Sequence, residues 1–390
     1  MKIERVTLDF VEIPLKSPFE TSFGVSTVKS CWMLTVEAEG LSGYAESVAD
    51  VEPGYSPETH ATVYYTLKNH VWPRLRAADL QSPEQALSAM TAVRGHRMAK
   101  AAIEMAVWDW FARARGVPLY RLLGGDGTRR DIPVGVSIGI QPHDQALTAL
   151  ADDYLRQGYR RLKVKIKPGR DLAPLTALRR AVGDTVPIMA DANSAYRLRD
   201  ANHLALLDDL NLMMLEQPLA EDDMVDHAEL AKRLRTPICL DEAIESDEDA
   251  RKAIAIGAAA IINLKVGRVG GLAMARRIHD LAVNQAIPLW CGGMLETGIG
   301  RAHNLHLTTL PGFTLPGDTS ASDRYFAHDL IDPPFRLSPH GTLPVPQGPG
   351  IGVEPDPGRL ARFRRYQEIW RRDEPGVRGG VPYDGSGARF

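Results

Sequence analysis

Five charged residues recur along this chain at nearly equal intervals: Lys165, Asp191, Glu216, Asp241 and Lys265, with gaps of 26, 25, 25 and 24 positions. Each stands at the end of a short apolar run, at residues 162–166, 186–190, 212–215, 237–240 and 261–264. About 25 residues suffice for one strand, one loop and one helix, so the period predicts repeating βα units. In a closed barrel of such units the carboxyl ends of all strands meet at one face. A charge repeated at strand ends is then delivered to a single pocket. A leucine-rich solenoid has a similar period. Apolar strands alternating with amphipathic helices, without that repeat's leucine spacing, favour the barrel.

The beat does not extend to the ends of the chain. Strand-like segments at 3–13, 31–38 and 43–48, followed by helical segments, predict a separate α+β unit. Residues 17–27, rich in Ser, Thr, Gly and Pro, read as a loop, and Pro53-Gly54-Tyr55-Ser56 marks a second. Loops on a unit packed against a barrel mouth commonly complete its pocket. A helix over 98–114 leads towards the barrel and is stopped by Gly124 and Gly125. The repeat starts at 132–140, with helices at 145–157, 172–182, 200–207, 224–234, 246–256 and 271–284. The last strands are 287–291 and a short run near 313–315, which makes seven or eight. Residues 333–352, rich in Pro and Gly, are expected to fold back on the first unit. The resulting division is a capping domain over 1–125, a barrel over 126–320, a returning segment over 321–370 and a flexible tail over 371–390.

Bulk properties narrow the function by exclusion. A net charge of −3 provides no basic footprint for nucleic acid. No apolar stretch approaches the roughly 20 residues needed to span a membrane. The first ten residues alternate like a strand and lack a signal-peptide core. Cys31, Cys239 and Cys291 are too few and too scattered for a disulfide framework, which points to a reducing cytoplasm. A small-molecule carboxylate is the expected partner and a homo-oligomer the expected assembly.

The ladder itself carries the chemistry. Three carboxylates converging from neighbouring strands repel one another and call for a cation. Oxygen ligands select Mg²⁺, or Mn²⁺ in its place, over zinc. Lys163-Val164-Lys165 places two lysines on one face of a strand, because strand side chains alternate with period two. An ordinary lysine pKa of about 10.4 is too high for a base at neutral pH, and a neighbouring cation or desolvation lowers it. Lys265, beyond the three acids, would meet a substrate from its other face. These parts suit abstraction of a proton next to a carboxylate, with a metal offsetting the charge of the resulting enediolate.

The residues as they stand resemble the enolase superfamily, in its muconate lactonizing enzyme subgroup. The pattern is Lys163-Val164-Lys165, Asp191-Ala192-Asn193, Glu216-Gln217-Pro218, Asp241-Glu242 and Lys265. Further runs are similar to the o-succinylbenzoate synthase/N-succinylamino acid racemase family: Gly95-His96-Arg97-Met98, Gly267-Arg268-Val269-Gly270-Gly271, Gly292-Gly293-Met294-Leu295-Glu296-Thr297-Gly298 and Gly317-Asp318-Thr319-Ser320. The resemblance covers the chain except about its last fifteen residues. It implies a modified TIM barrel, (β/α)7β, with an α+β cap built from the N-terminal region and the C-terminal segment. It also implies that Lys165 and Lys265 are the acid/base pair supported by Lys163, and that Asp191, Glu216 and Asp241 bind Mg²⁺. Ser137 and Asn193 would hydrogen-bond the substrate, Phe23 and Tyr55 would lie on capping loops, and Met294 and Leu295 would line the pocket. Arg268 would tune Lys265, unless it forms a surface salt bridge. Glu242 is expected to point away from the site.

Rival readings are a dipeptide epimerase or cycloisomerase with the same five charges, a phosphate-binding barrel using Gly292-Gly293, and a non-catalytic binding protein. The phosphate reading leaves three acids unexplained. The non-catalytic one would be expected to have lost a rung.

Overall fold

The computed structural model describes residues 1–22 and 24–374; Phe23 and the tail beyond Glu374 lie outside the described residues. The N-terminal part forms an antiparallel meander of β1 (Arg5–Glu20), β2 (Val25–Ala38) and β3 (Leu41–Glu46). The stretch expected as a loop at 17–27 instead extends the hairpin, with Phe19 paired to Ser26 and Glu20 to Val25. The register slips between Pro14 and Phe19, where Pro14 and Pro18 have no N–H to contribute to a ladder. Near the end of the hairpin, Thr21 N–H donates to the Gly24 carbonyl.

One face of the meander packs on the helix Arg97–Ala114, which is buried over nearly its whole length. Gly43 permits the approach: a Cβ there would stand 2.1 Å from the Ala106 carbonyl oxygen. The helix therefore sits closer to the sheet than any side chain would allow.

A short β4 (Asp131–Pro133) precedes seven parallel strands: β5 (Val136–Ile138), β6 (Leu162–Lys165), β7 (Ile188–Asp191), β8 (Leu215–Glu216), β9 (Ile238–Leu240), β10 (Ile261–Leu264) and β11 (Leu289–Cys291). They are hydrogen-bonded in sequence order, as right-handed βαβ crossovers produce. The run at 312–318 closes the ring without becoming a regular strand. It exchanges backbone hydrogen bonds with Leu289 and Cys291 on one side and with Pro133 and Gly135 on the other. The eighth position is therefore filled by isolated bridges. The helix expected at 200–207 is a mixture of 3-10 turns around a four-residue α segment, Ala201–Leu204.

The C-terminal segment ties the parts together. β12 (Thr342–Pro344) pairs with β4, and Ile351 N–H donates to Asp109 on the helix Arg97–Ala114. β13 (Arg364–Arg371) then joins β1 as the fourth strand of the meander. Buried carboxylates fasten the joint further. Glu104 accepts from Leu272 and Ala273 N–H at the start of the helix Leu272–Asn284. Glu46 and Asp329 do the same for Thr297 and Gly298 at the helix Gly298–Leu307. Helix N-termini have unpaired N–H groups and favour negative charge, so each carboxylate links two distant segments at a site that attracts it.

Candidate active site

The barrel register brings the ladder together. Lys165 lies opposite Asp191, and Asp191 opposite Glu216, on adjacent strand ends. Asp241 and Lys265 follow immediately after β9 and β10. All five side chains are buried, the three acids completely. Lys163 and Lys165 face the same side of β6, as period two requires. A small cavity of about 80 Å³ is lined by Lys163, Lys165, Lys265, Ser137, Asn193 and Tyr55, among others. Met294 and Leu295 also line it. Phe23, expected on a capping loop, is outside the described residues, but the neighbouring Ser22 hydroxyl donates to the Asn193 carbonyl at 3.2 Å.

The charges interlock. Lys163 Nζ lies 2.9 Å from Asp191 Oδ2, 3.0 Å from Glu216 Oε2 and 2.8 Å from Asp318 Oδ2. Lys165 Nζ is 2.6 Å from Asp191 Oδ2 and 2.7 Å from Asn193 Oδ1. Lys265 Nζ is 2.8 Å from Asp241 Oδ2 and 3.0 Å from the Tyr55 hydroxyl. Asn263 Nδ2 donates to Glu216 Oε1 at 2.7 Å.

These surroundings separate the lysines. Burial lowers the Lys165 pKa, opposed by Asp191 and aided by the Lys163 charge. Lys163 is driven well above the ordinary range because Asp191, Asp318 and Glu216 together outweigh its burial. Burial also opposes the charge on Lys265, but Tyr55, Glu242 and Glu216 more than offset it, and its pKa is raised. Asp191, although buried, is held well below the usual carboxylate range by Lys163 and Lys165. The expected tuning pair thus divides its roles: Lys163 is a fixed cation, and Lys165 beside it is the depressed one.

One expectation changes, and one alternative falls away. Glu242 does not turn away: it is buried, its Oε1 accepts from Asn193 Nδ2 at 2.8 Å, and its Oε2 has no partner among the described residues. Following a strand end rather than lying within a strand, it escapes the alternation that would send it outward. Arg268 forms no surface salt bridge. It is buried on the short helix Val266–Val269, ion-paired to Asp241 Oδ1, and donates to the Tyr55 hydroxyl at 2.9 Å. Its remaining N–H groups reach the carbonyls of Ile244 and Asn263.

Other site residues escaped the spacing argument. Asp318 comes from the ring-closing run and is itself paired to Arg161 at 2.7 Å; the Gly317-Asp318-Thr319-Ser320 motif was its only signal. Gly292 has a steric purpose: a Cβ would stand 2.5 Å from Lys265 Cε and 2.4 Å from Asn263 Oδ1. Gly292 thus makes room for Lys265, and Gly293 for the backbone of Asp318, 2.9 Å from where its Cβ would stand, which gives both glycines a purpose without a phosphate loop. The Ser137 hydroxyl is buried at the cavity without a partner among the described residues.

The donor set of Asp191, Glu216 and Asp241 consists of carboxylate oxygens, the chemistry that suits a hard divalent cation. As the chain stands, lysines and Arg268 balance their charge. Among the described residues no three His, Cys, Asp or Glu side chains are gathered as a metal-binding group.

Comparisons with known proteins agree along the chain. Residues 3–124 match the mandelate racemase/muconate lactonizing enzyme N-terminal domain, and residues 146–359 match the enolase C-terminal domain-like family. The o-succinylbenzoate synthase of Geobacillus kaustophilus is 49% identical over 95% of this chain and 98% of its own length. The N-succinylamino acid racemase of Thermus thermophilus is 47% identical over 94% of this chain and 99% of its own. A crystal structure of an enolase superfamily member from Listeria innocua superposes with a TM-score of 0.91 at 41% identity, covering 96% of this chain and 100% of that one. No helix among the described residues is long and apolar enough to cross a membrane. The chain belongs to the enolase superfamily, within the mandelate racemase/muconate lactonizing enzyme family.

Proposed function

We propose that this enzyme removes the proton α to a carboxylate, acting as an o-succinylbenzoate synthase, an N-succinylamino acid racemase, or both. The observation that carries this reading is the placement of two buried lysines, Lys165 and Lys265, in the wall of one cavity, with the three acids on the intervening strands. Names of near-half-identical relatives support the substrate class.

Family membership implies a divalent metal, and Asp191, Glu216 and Asp241 would hold it, as Mg²⁺ or Mn²⁺. When bound, the ion offsets negative charge that develops on the substrate carboxylate. Lys165, depressed by burial and by Lys163, takes the proton. In racemisation Lys265 returns one to the opposite face, and the roles exchange for the other enantiomer. In dehydration Lys165 goes on to protonate the departing hydroxide as water, while Lys265 stays a cation beside the developing charge. Ser137 and Asn193, which line the same cavity, would hydrogen-bond the substrate. A cytoplasmic location and a homo-oligomeric assembly complete the reading, on the sequence alone.

The test is direct. Purified protein in D₂O should exchange the α-proton of an N-succinylamino acid, turn over the synthase's substrate, or do both. Chelation should abolish the reaction and Mg²⁺ restore it. Failure to exchange an α-proton or release water from either substrate overturns the proposal.

Arg268 offers a way to separate the two activities. It shares Asp241 and Tyr55 with Lys265. Without the guanidinium, the Asp241 charge would act on Lys265 alone and raise its proton affinity. Racemisation needs Lys265 to give and take a proton, whereas dehydration needs only its charge. Arg268→Gln is therefore expected to lower racemisation kcat roughly tenfold more than dehydration kcat. Equal losses would sink the idea.

A further inference from the structure

Each buried base of the ladder network has an acid beside it: Lys163, Lys165, Lys265, Arg161 and Arg268 are all ion-paired. Arg301 is the exception in the same cavity wall. It is 1% exposed, it lines the cavity that holds Lys165 and Lys265, and no carboxylate among the described residues lies within ion-pair distance of it. Its Nε donates to the Ser320 carbonyl at 2.8 Å and its Nη1 to the Glu296 carbonyl at 2.6 Å. Its Nη2 donates to nothing among the described residues. The rings of Tyr325 and Phe326 flank the guanidinium at 5.4 and 5.6 Å and hold its plane in place.

A comparison within the molecule shows why this is unusual. Arg179 is also buried with no acid in ion-pair range among the described residues, but Nε, Nη1 and Nη2 engage the carbonyls of Leu210, Gly183, Val186 and Asn211. That guanidinium is fully used in holding the chain. Arg301 keeps one amino group open and its charge uncompensated. A buried charge without a partner is costly, and an arrangement of this kind is stable in function when the partner arrives with the ligand.

We propose that Arg301 receives a second carboxylate of the substrate, the distal one of a succinyl group, while the lysines work at the first. A neutral acyl oxygen could accept one hydrogen bond from Nη2 but would leave the charge unbalanced. A carboxylate does both, through a charge-assisted bond. This assignment rests on the proton-abstraction reading above, and it makes Arg301 the residue that favours dicarboxylate substrates over monocarboxylate ones.

The experiment compares N-succinyl- and N-acetylphenylalanine by α-proton exchange in D₂O, in the wild-type enzyme with Mg²⁺ and in Arg301→Met. The wild type should favour the succinyl substrate in kcat/KM. In the variant the succinyl-to-acetyl ratio should fall by about 30-fold, the loss expected for one charge-assisted hydrogen bond. If Arg301→Met does not fold, Arg301→Lys carries the test, since an ammonium without the planar fork should shift the ratio in the same direction by less. A wild type without preference for the succinyl substrate, or a variant that lowers both equally, overturns the assignment and leaves the proton chemistry standing. A wild type that exchanges neither substrate overturns the parent reading and this assignment with it.

Discussion

Replacing Lys165 with alanine is expected to lower racemisation by at least about 10³-fold, within the range that a positioned general base contributes. The loss should be one-sided. The two lysines are expected to face opposite sides of the substrate, so in D₂O the variant should stop exchanging the α-proton of one enantiomer. Exchange of the other, whose proton faces Lys265, should continue. Lys265→Ala should show the mirror image. The fold should survive the change, because Asp191 remains ion-paired with Lys163 at 2.9 Å. Proton exchange followed by NMR on each enantiomer, beside a thermal melt, checks both parts. Equal loss for the two enantiomers in a folded Lys165→Ala variant would refute the division of labour.

The second large effect is on stability. Lys163→Met is expected to destabilise the ion-free enzyme by about 3–5 kcal/mol, the usual consequence of removing one partner from a buried charge network. Lys163 is the common counter-ion of Asp191, Glu216 and Asp318. Without it Asp318 keeps Arg161 and Asp191 keeps Lys165, but among the described residues Glu216 is left with only the Asn263 amide as a close partner. Added Mg²⁺ should recover part of the loss, and should raise the melting temperature more for the variant than for the wild type. Denaturation with and without the ion measures this. A variant within about 1 kcal/mol of wild type in chelator would show that the three acids do not depend on Lys163.

How much of this was legible beforehand depends on distance along the chain. Lys165, Asp191, Glu216, Asp241 and Lys265 are each set by their own strand, so the spacing of strands revealed them, and period two assigned Lys163 to the same face. The pairing of Phe19 with Ser26 and Glu20 with Val25 is not legible in the turn-like side chains of this stretch, because it is made by backbone groups that do not depend on them. Asp318 stands 155 positions from Lys163, and nothing local in either segment announces the contact. Glu242 was misplaced because alternation was extended past the end of a strand. Arg268 was noticed for its charge, but its burial against Asp241 and Tyr55 required the short helix after β10. Arg301 is indistinguishable in sequence from other arginines, since what marks it is that no acid among the described residues lies beside it.

The ordered charges along the chain therefore determined the barrel, the direction in which its functional groups point and the class of chemistry, because strand period and βα repeat are local properties. Which lysine is depressed, which acid partners which base, and which arginine is left for a substrate were decided only by the closed ring. Electrostatic energy depends on distances of a few ångströms and on exclusion of water, and both arise when segments far apart in sequence are packed against one another.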